Sequence, residues 1–342
     1  MKQLVTGGAG FIGSNYVHFV LATSDDEVVV LDKLSYAGNM ANLADLQGNP
    51  RYRFIQGDIA DRDVVTQAIH GVGAIVNFAA ESHVDRSIMS ADSFITTDVY
   101  GVYVLLEAAR SAGVERFLHV STDEVYGHVA EGAAPEAAGL KPRSPYSASK
   151  AGGEMLVYAY HVTHGLPTLI TRGSNTFGPN QYPEKLIPVV ITEALDQRPI
   201  PVYGDGMQVR DWLYVQDHCS GIDLVLRRGT PGETYNLGGG NERHNIRVIE
   251  QVLDLLGRPR SLIQHIVDRP GHDVRYAIDS AKLLELGWDR SRSFEQALEA
   301  TVRWYEANEA WWRPIKSGQD YVEYFHRNYD GRSLEDRASS PA

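Results

Sequence analysis

The chain has 342 residues, with 44 acidic side chains against 32 basic ones and a formal charge of −12. At roughly 150 residues per domain, that length fits two domains or one large α/β unit with an appended part. The acidic balance argues against nucleic acid, which needs clustered Lys and Arg, and no run approaches the roughly 18 apolar residues of a membrane span. One cysteine, Cys219, excludes an internal disulfide framework and a Cys-only zinc site. The first residues run straight into a glycine-rich turn, which leaves no room for a signal peptide and points to a cytoplasmic protein.

In chain order, Lys2–Thr6, Glu27–Asp32, Arg53–Gln56, Ala74–Ala79 and Arg116–Ser121 read as buried strands, being continuous, apolar and closed by turn residues. Helical stretches lie between and after them, at 11–22, 61–69, 94–112 and 145–164, and a sixth strand is expected at 167–172. This alternation implies right-handed crossovers and a parallel sheet. After Ser174 prolines crowd together and helices shorten. A strand at 233–237, a loop at 238–245, a helix at 246–256 and an amphipathic helix at 293–308 are expected there. The fold class is therefore α/β, a doubly wound parallel sheet of the Rossmann type with a smaller C-terminal α/β region. Residues 1–172 form the first domain, with a segment near 212–237 returning to it. Residues 173–330 form mainly the second region, and 331–342 a tail.

Gly7, Gly10 and Gly13 sit between the first strand and the first helix. Gly7 permits a tight turn, Gly10 lets backbone approach a pyrophosphate, and Gly13 allows close helix–strand packing. The helix N-terminus adds amide donors and partial positive charge. Asp32 ends the second strand, where an acidic side chain accepts from the ribose hydroxyls of NAD and repels the extra phosphate of NADP. Asp58, after the third strand, reads equally as an adenine contact or a helix N-cap.

Ser121-Thr122-Asp123-Glu124 follows the fifth strand, at the sheet end where ligands bind in such folds. The paired carboxylates read either as a functional pair or as a helix start that complements the dipole. Tyr146 and Lys150 share one helix face at i, i+4, and a neighbouring ammonium is expected to lower the tyrosine pKa toward the range of a general base. The twelve histidines show no metal-ligating spacing, so no metal is expected.

Glycine turn, Asp32 and YxxxK together resemble the extended short-chain dehydrogenase/reductase superfamily. Thr122-Asp123-Glu124 narrows the resemblance to nucleotide-sugar 4,6-dehydratases. The stretches 175–179, 182–188, 210–215 and 268–273 resemble the dTDP-glucose 4,6-dehydratases in particular. UDP-sugar epimerases are expected to lack the Asp-Glu pair. The resemblance implies a tightly bound NAD and a homodimer through a four-helix bundle. It implies Tyr146, Thr122 and Lys150 in C4 oxidation, Glu124 as base at C5 and Asp123 as acid toward the C6 hydroxyl. Implied cofactor contacts are Gly7, Gly10, Phe11, Ile12, Gly13, Asp32, Lys33, Ser35, Asp58, Ile59, Ala79, Ala80, Thr97, Tyr146, Lys150 and Asn175. Implied substrate contacts are Ser82, Thr122, Asn175, Lys185, Leu186, Pro201, Tyr203, Arg210, Asn245, Arg269, His272 and Tyr276. Arg210 and Arg269 suit a diphosphate, with ion pairing as the plainer reading of each. Three positions depart from the family pattern: Asp98 where Asn is common, Phe177 where Tyr is, and Gly173 where Cys is, the last expected to be neutral. A dehydratase or 4-epimerase of another nucleotide sugar, and a non-catalytic NAD-sensing protein, are the alternatives.

Overall fold

The computed structural model describes residues 1–269, 271–329 and 332; the expected tail at 331–342 otherwise lies outside them. Seven strands form one parallel sheet: β1 (Lys2–Thr6), β2 (Glu27–Asp32), β3 (Tyr52–Gln56), β4 (Ala74–Asn77), β5 (Arg116–Thr122), β6 (Thr168–Gly173) and β10 (Thr234–Leu237). Their order is β10-β6-β5-β4-β1-β2-β3, so the winding reverses between β1 and β4. Val, Ile and Leu fill β1, β2 and β4, whose residues are nearly all buried. Helices cover both faces, as a fully buried parallel sheet requires.

On one face lie α1 (Phe11–Thr23) and α8 (Val215–Arg228), which pack on each other. On the other lie α2 (Arg62–Ala68), α5 (Val102–Ala112) and α6 (Pro145–His164). Ser144 starts α6 with a capping box, Pro145 follows in the first turn, and Gly165 ends it in the left-handed conformation at φ 67°. One long helix was expected over 94–112. The chain is helical throughout that stretch, as α4 (Asp92–Ile95), a π-turn at Thr96–Gly101 and then α5, with α3 (Val84–Met89) before it. A π-turn inserts one residue without breaking the helix, so its apolar spacing stays readable as continuous.

The second region is built from small pieces. β7 (Asn175–Phe177), β9 (Val209–Tyr214) and β11 (Glu242–His244) make a three-stranded sheet; β8 (Ile200–Tyr203) and β12 (Ile263–Ile266) make a parallel pair. The expected loop at 238–245 thus contains β11. Residues 209–214 belong to the small sheet, while α8 and β10 rejoin the large one. Helices α7 (Leu186–Leu195), α9 (Asn245–Leu255), α11 (Phe294–Ala307), α12 (Glu309–Ser317) and α13 (Gln319–Tyr329) close this region, and the short α10 (Ala281–Glu285) packs on β10. One hydrophobic cluster runs from Val5 and Val76 of the sheet through Phe177 and Trp212 to Trp312, joining both regions.

Candidate active site

A cavity of about 310 Å³ lies along the C-terminal strand ends, across the point where the strand order reverses. Gly7, Gly10, Phe11, Ile12, Gly13, Asp32, Lys33, Ser35, Asp58, Ile59, Ala79, Ala80, Ser82, Thr97, Thr122, Asp123, Glu124, Tyr146, Lys150, Asn175, Lys185 and Leu186 all line it. The turn after β1 is shaped by what a side chain would strike. A Cβ on Gly7, at φ +67°, would meet the Ala79 nitrogen at 2.7 Å, and one on Gly13 the Gly7 carbonyl at 2.3 Å. At Gly10, among the described residues, only the Gly7 carbonyl stands near, at 3.2 Å, so its open side is free for close approach. Gly10 is also the N-cap of α1 and brings no side chain to its amides. These features fit a dinucleotide pyrophosphate.

Asp32 holds the next turn: its two oxygens accept from the amides of Ala9 (2.9 Å) and Leu34 (2.8 Å). Burial raises its carboxyl pKa against those bonds. Lys33 turns to Glu81 and Thr97, each at 3.1 Å. Asp58 accepts from Ala60 at 2.9 Å but does not cap α2; Asp61 does, accepting from the amides of Asp63 and Val64. The N-cap reading of Asp58 is corrected by three residues.

Beyond β5, Thr122 caps a short 3₁₀ turn at Asp123–Tyr126 by accepting from the Glu124 amide, and its hydroxyl donates to Asp123 at 3.2 Å. The carboxylate pair is therefore both a helix start and a cavity wall. Asp123 is 3% exposed and its second oxygen has no partner among the described residues. Burial first, then the neighbouring Glu124 and Asp211, push its pKa well above the usual carboxylate range. Glu124 is raised too, by burial, against the cations Arg269, Lys185 and Arg210. Both shifts favour protonation, and Asp123 is the more strongly held.

Lys150 does not act on Tyr146 as expected. Its ammonium donates to the Val120 carbonyl at 2.7 Å, and burial lowers its pKa. Tyr146 is pushed well above the ordinary phenol value, by burial first and then by Glu124 and Asp98; Thr122 opposes this with a hydrogen bond. Burial and the chain's own carboxylates thus dominate at this phenol.

Pro201, Tyr203, Arg210, Asn245, Arg269, His272 and Tyr276 do not line the cavity. Most of them join an adjoining cluster. Arg269 pairs with Asp85 at 2.7 Å, and the Tyr203 hydroxyl donates to the same carboxylate at 2.9 Å. Arg210 donates to the backbone of Val209 and Asp273 and to the His272 ring at 2.9 Å; the ion pair with Asp211 does not form. Tyr276 bridges the two groups: its hydroxyl lies 2.7 Å from Asp273 and 3.4 Å from Glu124. His272 meets Tyr203 edge-on at 5.9 Å. Asn245 opens α9, and Pro201 lies in β8.

The family model described as GDP-mannose 4,6 dehydratase matches residues 4–301. A dTDP-glucose 4,6-dehydratase from Streptomyces niveus is 50% identical over 323 residues, covering 93% of this chain and 96% of that protein. DesIV, a dTDP-glucose 4,6-dehydratase from Streptomyces venezuelae solved with NAD and TYD bound, superposes with a TM-score of 0.91 at 51% identity, covering 92% and 100% of the two chains. The chain belongs to the dTDP-glucose 4,6-dehydratase family. The low-salt glycan biosynthesis protein Agl12 of Haloferax volcanii is a relative at 53% identity, covering 89% of this chain and 98% of its own.

Gly173, at the end of β6, lies close against the His218 ring. A Cβ there would meet the His218 ring at 2.5 Å. His218 hydrogen-bonds Thr176 at 2.8 Å and lines the cavity, yet no motif flagged it. Gln181, Tyr182 and Glu184 also reach the cavity; the dehydratase motif at 182–188 contains the last two. Asp85, which holds Arg269 and Tyr203, had no signal in the sequence, because its role depends on partners more than 100 residues away.

Proposed function

We propose that the protein converts dTDP-glucose to its 4-keto-6-deoxy product with a tightly bound NAD. The observation that carries this is the convergence of Thr122, Asp123, Glu124, Tyr146 and Lys150 on the cavity that the glycine turn opens into. Bound NAD would supply the hydride acceptor for C4 of the sugar and the hydride donor for C6. Gly7, Gly10, Phe11, Ile12 and Gly13 would hold the pyrophosphate by backbone, and Asp32 the ribose hydroxyls. Lys33, Ser35, Asp58, Ile59, Ala79, Ala80, Thr97 and Asn175 would complete the walls of that site.

Tyr146 removes the proton of the C4 hydroxyl, and Thr122 orients that oxygen. A ketone at C4 makes the C5 proton acidic, which no unoxidised glucose offers. Glu124 then takes it. Asp123, kept protonated by its surroundings, supplies the proton that leaves with the C6 hydroxyl as water. Two adjoining carboxyls with unequal proton affinity divide the acid and base roles. Ser82, Lys185 and Leu186 face the sugar.

Arg210, Arg269, Tyr203, His272, Tyr276, Asn245 and Pro201 would take the nucleotide portion. The Arg269 Nε is buried with no partner among the described residues, which leaves a donor for phosphate beside the Asp85 pair.

A second copy of the chain would cover the exposed Tyr100, Met155, Tyr158 and Val162, on the π-turn and α6, in a four-helix homodimer. A nucleotide-sugar substrate supports a cytoplasmic setting for the work.

Incubation with dTDP-glucose carrying deuterium at C4 tests the reading. Loss of water with deuterium at C6 is expected. Deuterium returned to C4 would mark a 4-epimerase, turnover of UDP- or GDP-sugars alone another nucleotide preference, and no turnover a non-catalytic protein.

A further inference from the structure

Asp98 sits on the π-turn, 1% exposed, behind the cavity wall. One carboxyl oxygen accepts from the Glu81 amide at 3.0 Å and the other from the Ser149 hydroxyl at 2.7 Å. Ser149 lies between Tyr146 and Lys150 on α6, and its hydroxyl also reaches the Tyr146 carbonyl at 2.8 Å. Gly153 lets the π-turn press against this helix: a Cβ there would meet the Asp98 carbonyl at 2.5 Å. The carboxyl group is thus fastened to the helix face that carries the YxxxK pair.

We propose that Asp98 is a positioning residue whose charge sets the pH range over which Tyr146 and Lys150 work, on the reading of Tyr146 as the base given above. Among the described residues, the groups around it leave one cation, Lys150, to answer that charge. From α6 come Lys150, the Tyr146 phenol and, acting on Lys150, Glu154. Glu81 faces it from the segment after β4 and is itself paired with Lys33. His119 of β5, kept neutral by burial and by Lys150, lies across Gly153 from the Asp98 carbonyl, and Glu124 of the following turn acts on the Tyr146 phenol. Burial holds the Asp98 carboxyl up at about 6, against Lys150 and the two hydrogen bonds, so it ionises within the working range of an enzyme. Ionised, it favours the Lys150 ammonium and disfavours tyrosinate at Tyr146. Removing the charge lowers the proton affinity of both.

Asparagine can keep both hydrogen bonds, accepting from the Glu81 amide and donating to the Ser149 oxygen. The test is therefore the pH profile of kcat for Asp98→Asn and Asp98→Ser, together with the ultraviolet tyrosinate signal that Tyr146→Phe removes. Both limbs of the profile and the tyrosinate titration are expected to move to lower pH by about 0.5–1 unit in both variants. Coincident profiles and an unmoved tyrosinate signal in either folded variant overturn the proposal. So does a rate loss equal at every pH, or a shift in the Ser variant that the Asn variant lacks. Absence of turnover in the unaltered protein would overturn the dehydratase reading instead, and the tyrosinate titration would still judge Asp98.

Discussion

At the scale of single residues, chemistry here depends on which proton each buried group holds. Asp123 and Glu124 are neighbours in sequence and both line the cavity, yet Asp123 faces the carboxylates Glu124 and Asp211 of β9 while Glu124 has three cations in range. Glu124→Gln should therefore leave the C4 oxidation intact and slow elimination by about 10²–10⁴-fold. Exchange of the C5 hydrogen with solvent, followed together with overall turnover, checks this; undiminished exchange would remove Glu124 from the base role. The identities of these residues were legible in the sequence because their spacing to strand ends and along one helix is local. Their proton affinities were not. The expected lowering at Tyr146 considered only Lys150, while Glu124 and Asp98 approach from other elements.

At the scale of elements, one guanidinium ties three pieces of the site together. Arg172, at the end of β6, donates through Nε and one terminal nitrogen to Glu154 of α6, the shortest bond being 2.6 Å. Its other nitrogen reaches the Tyr126 hydroxyl at 2.7 Å, and Tyr126 in turn donates to Asn236 of β10 at 2.8 Å. The turn that carries Asp123 and Glu124 is thereby fixed against the helix that carries Tyr146. Arg172→Leu leaves Glu154 buried and unpaired, and should cost about 3–5 kcal/mol in chemical denaturation. Adding Glu154→Met should recover much of that loss, and a double variant no more stable than Arg172→Leu would contradict it. Strands and helices of the first half were readable from apolar runs and turn residues. The π-turn was not, because it changes register without changing composition, nor was the small sheet of β7, β9 and β11, whose short strands pair over distance.

At the scale of the whole molecule, burial of neutral histidines makes stability depend on acid. His83 is enclosed between Glu184 and Tyr324, and burial lowers its pKa from 6.5 to about 4. Its folded value is depressed, so as pH falls below 6.5 the unfolded chain takes the proton first and folding loses ground until about pH 4. Between pH 7 and 5 that loss is about 2 kcal/mol for this side chain. His83→Gln should lack it: from pH 7 to 5 the variant's unfolding free energy should fall less than that of the unaltered protein, by about the same amount. Equal losses would show that His83 does not couple to folding. The comparison is made between two proteins because raised carboxyls such as Asp98, at about 6, bias the protein alone in the opposite direction. The edge of the large sheet has a further consequence, in time rather than in energy. β10, which pairs with β6, starts at Thr234, while β6 ends at Gly173. A chain leaving the ribosome must therefore expose the backbone edge of β6 until the whole stretch 174–233 has been made. Strand order in space and strand order in synthesis part at that point, and the last strand to arrive seals a sheet whose other six were finished long before.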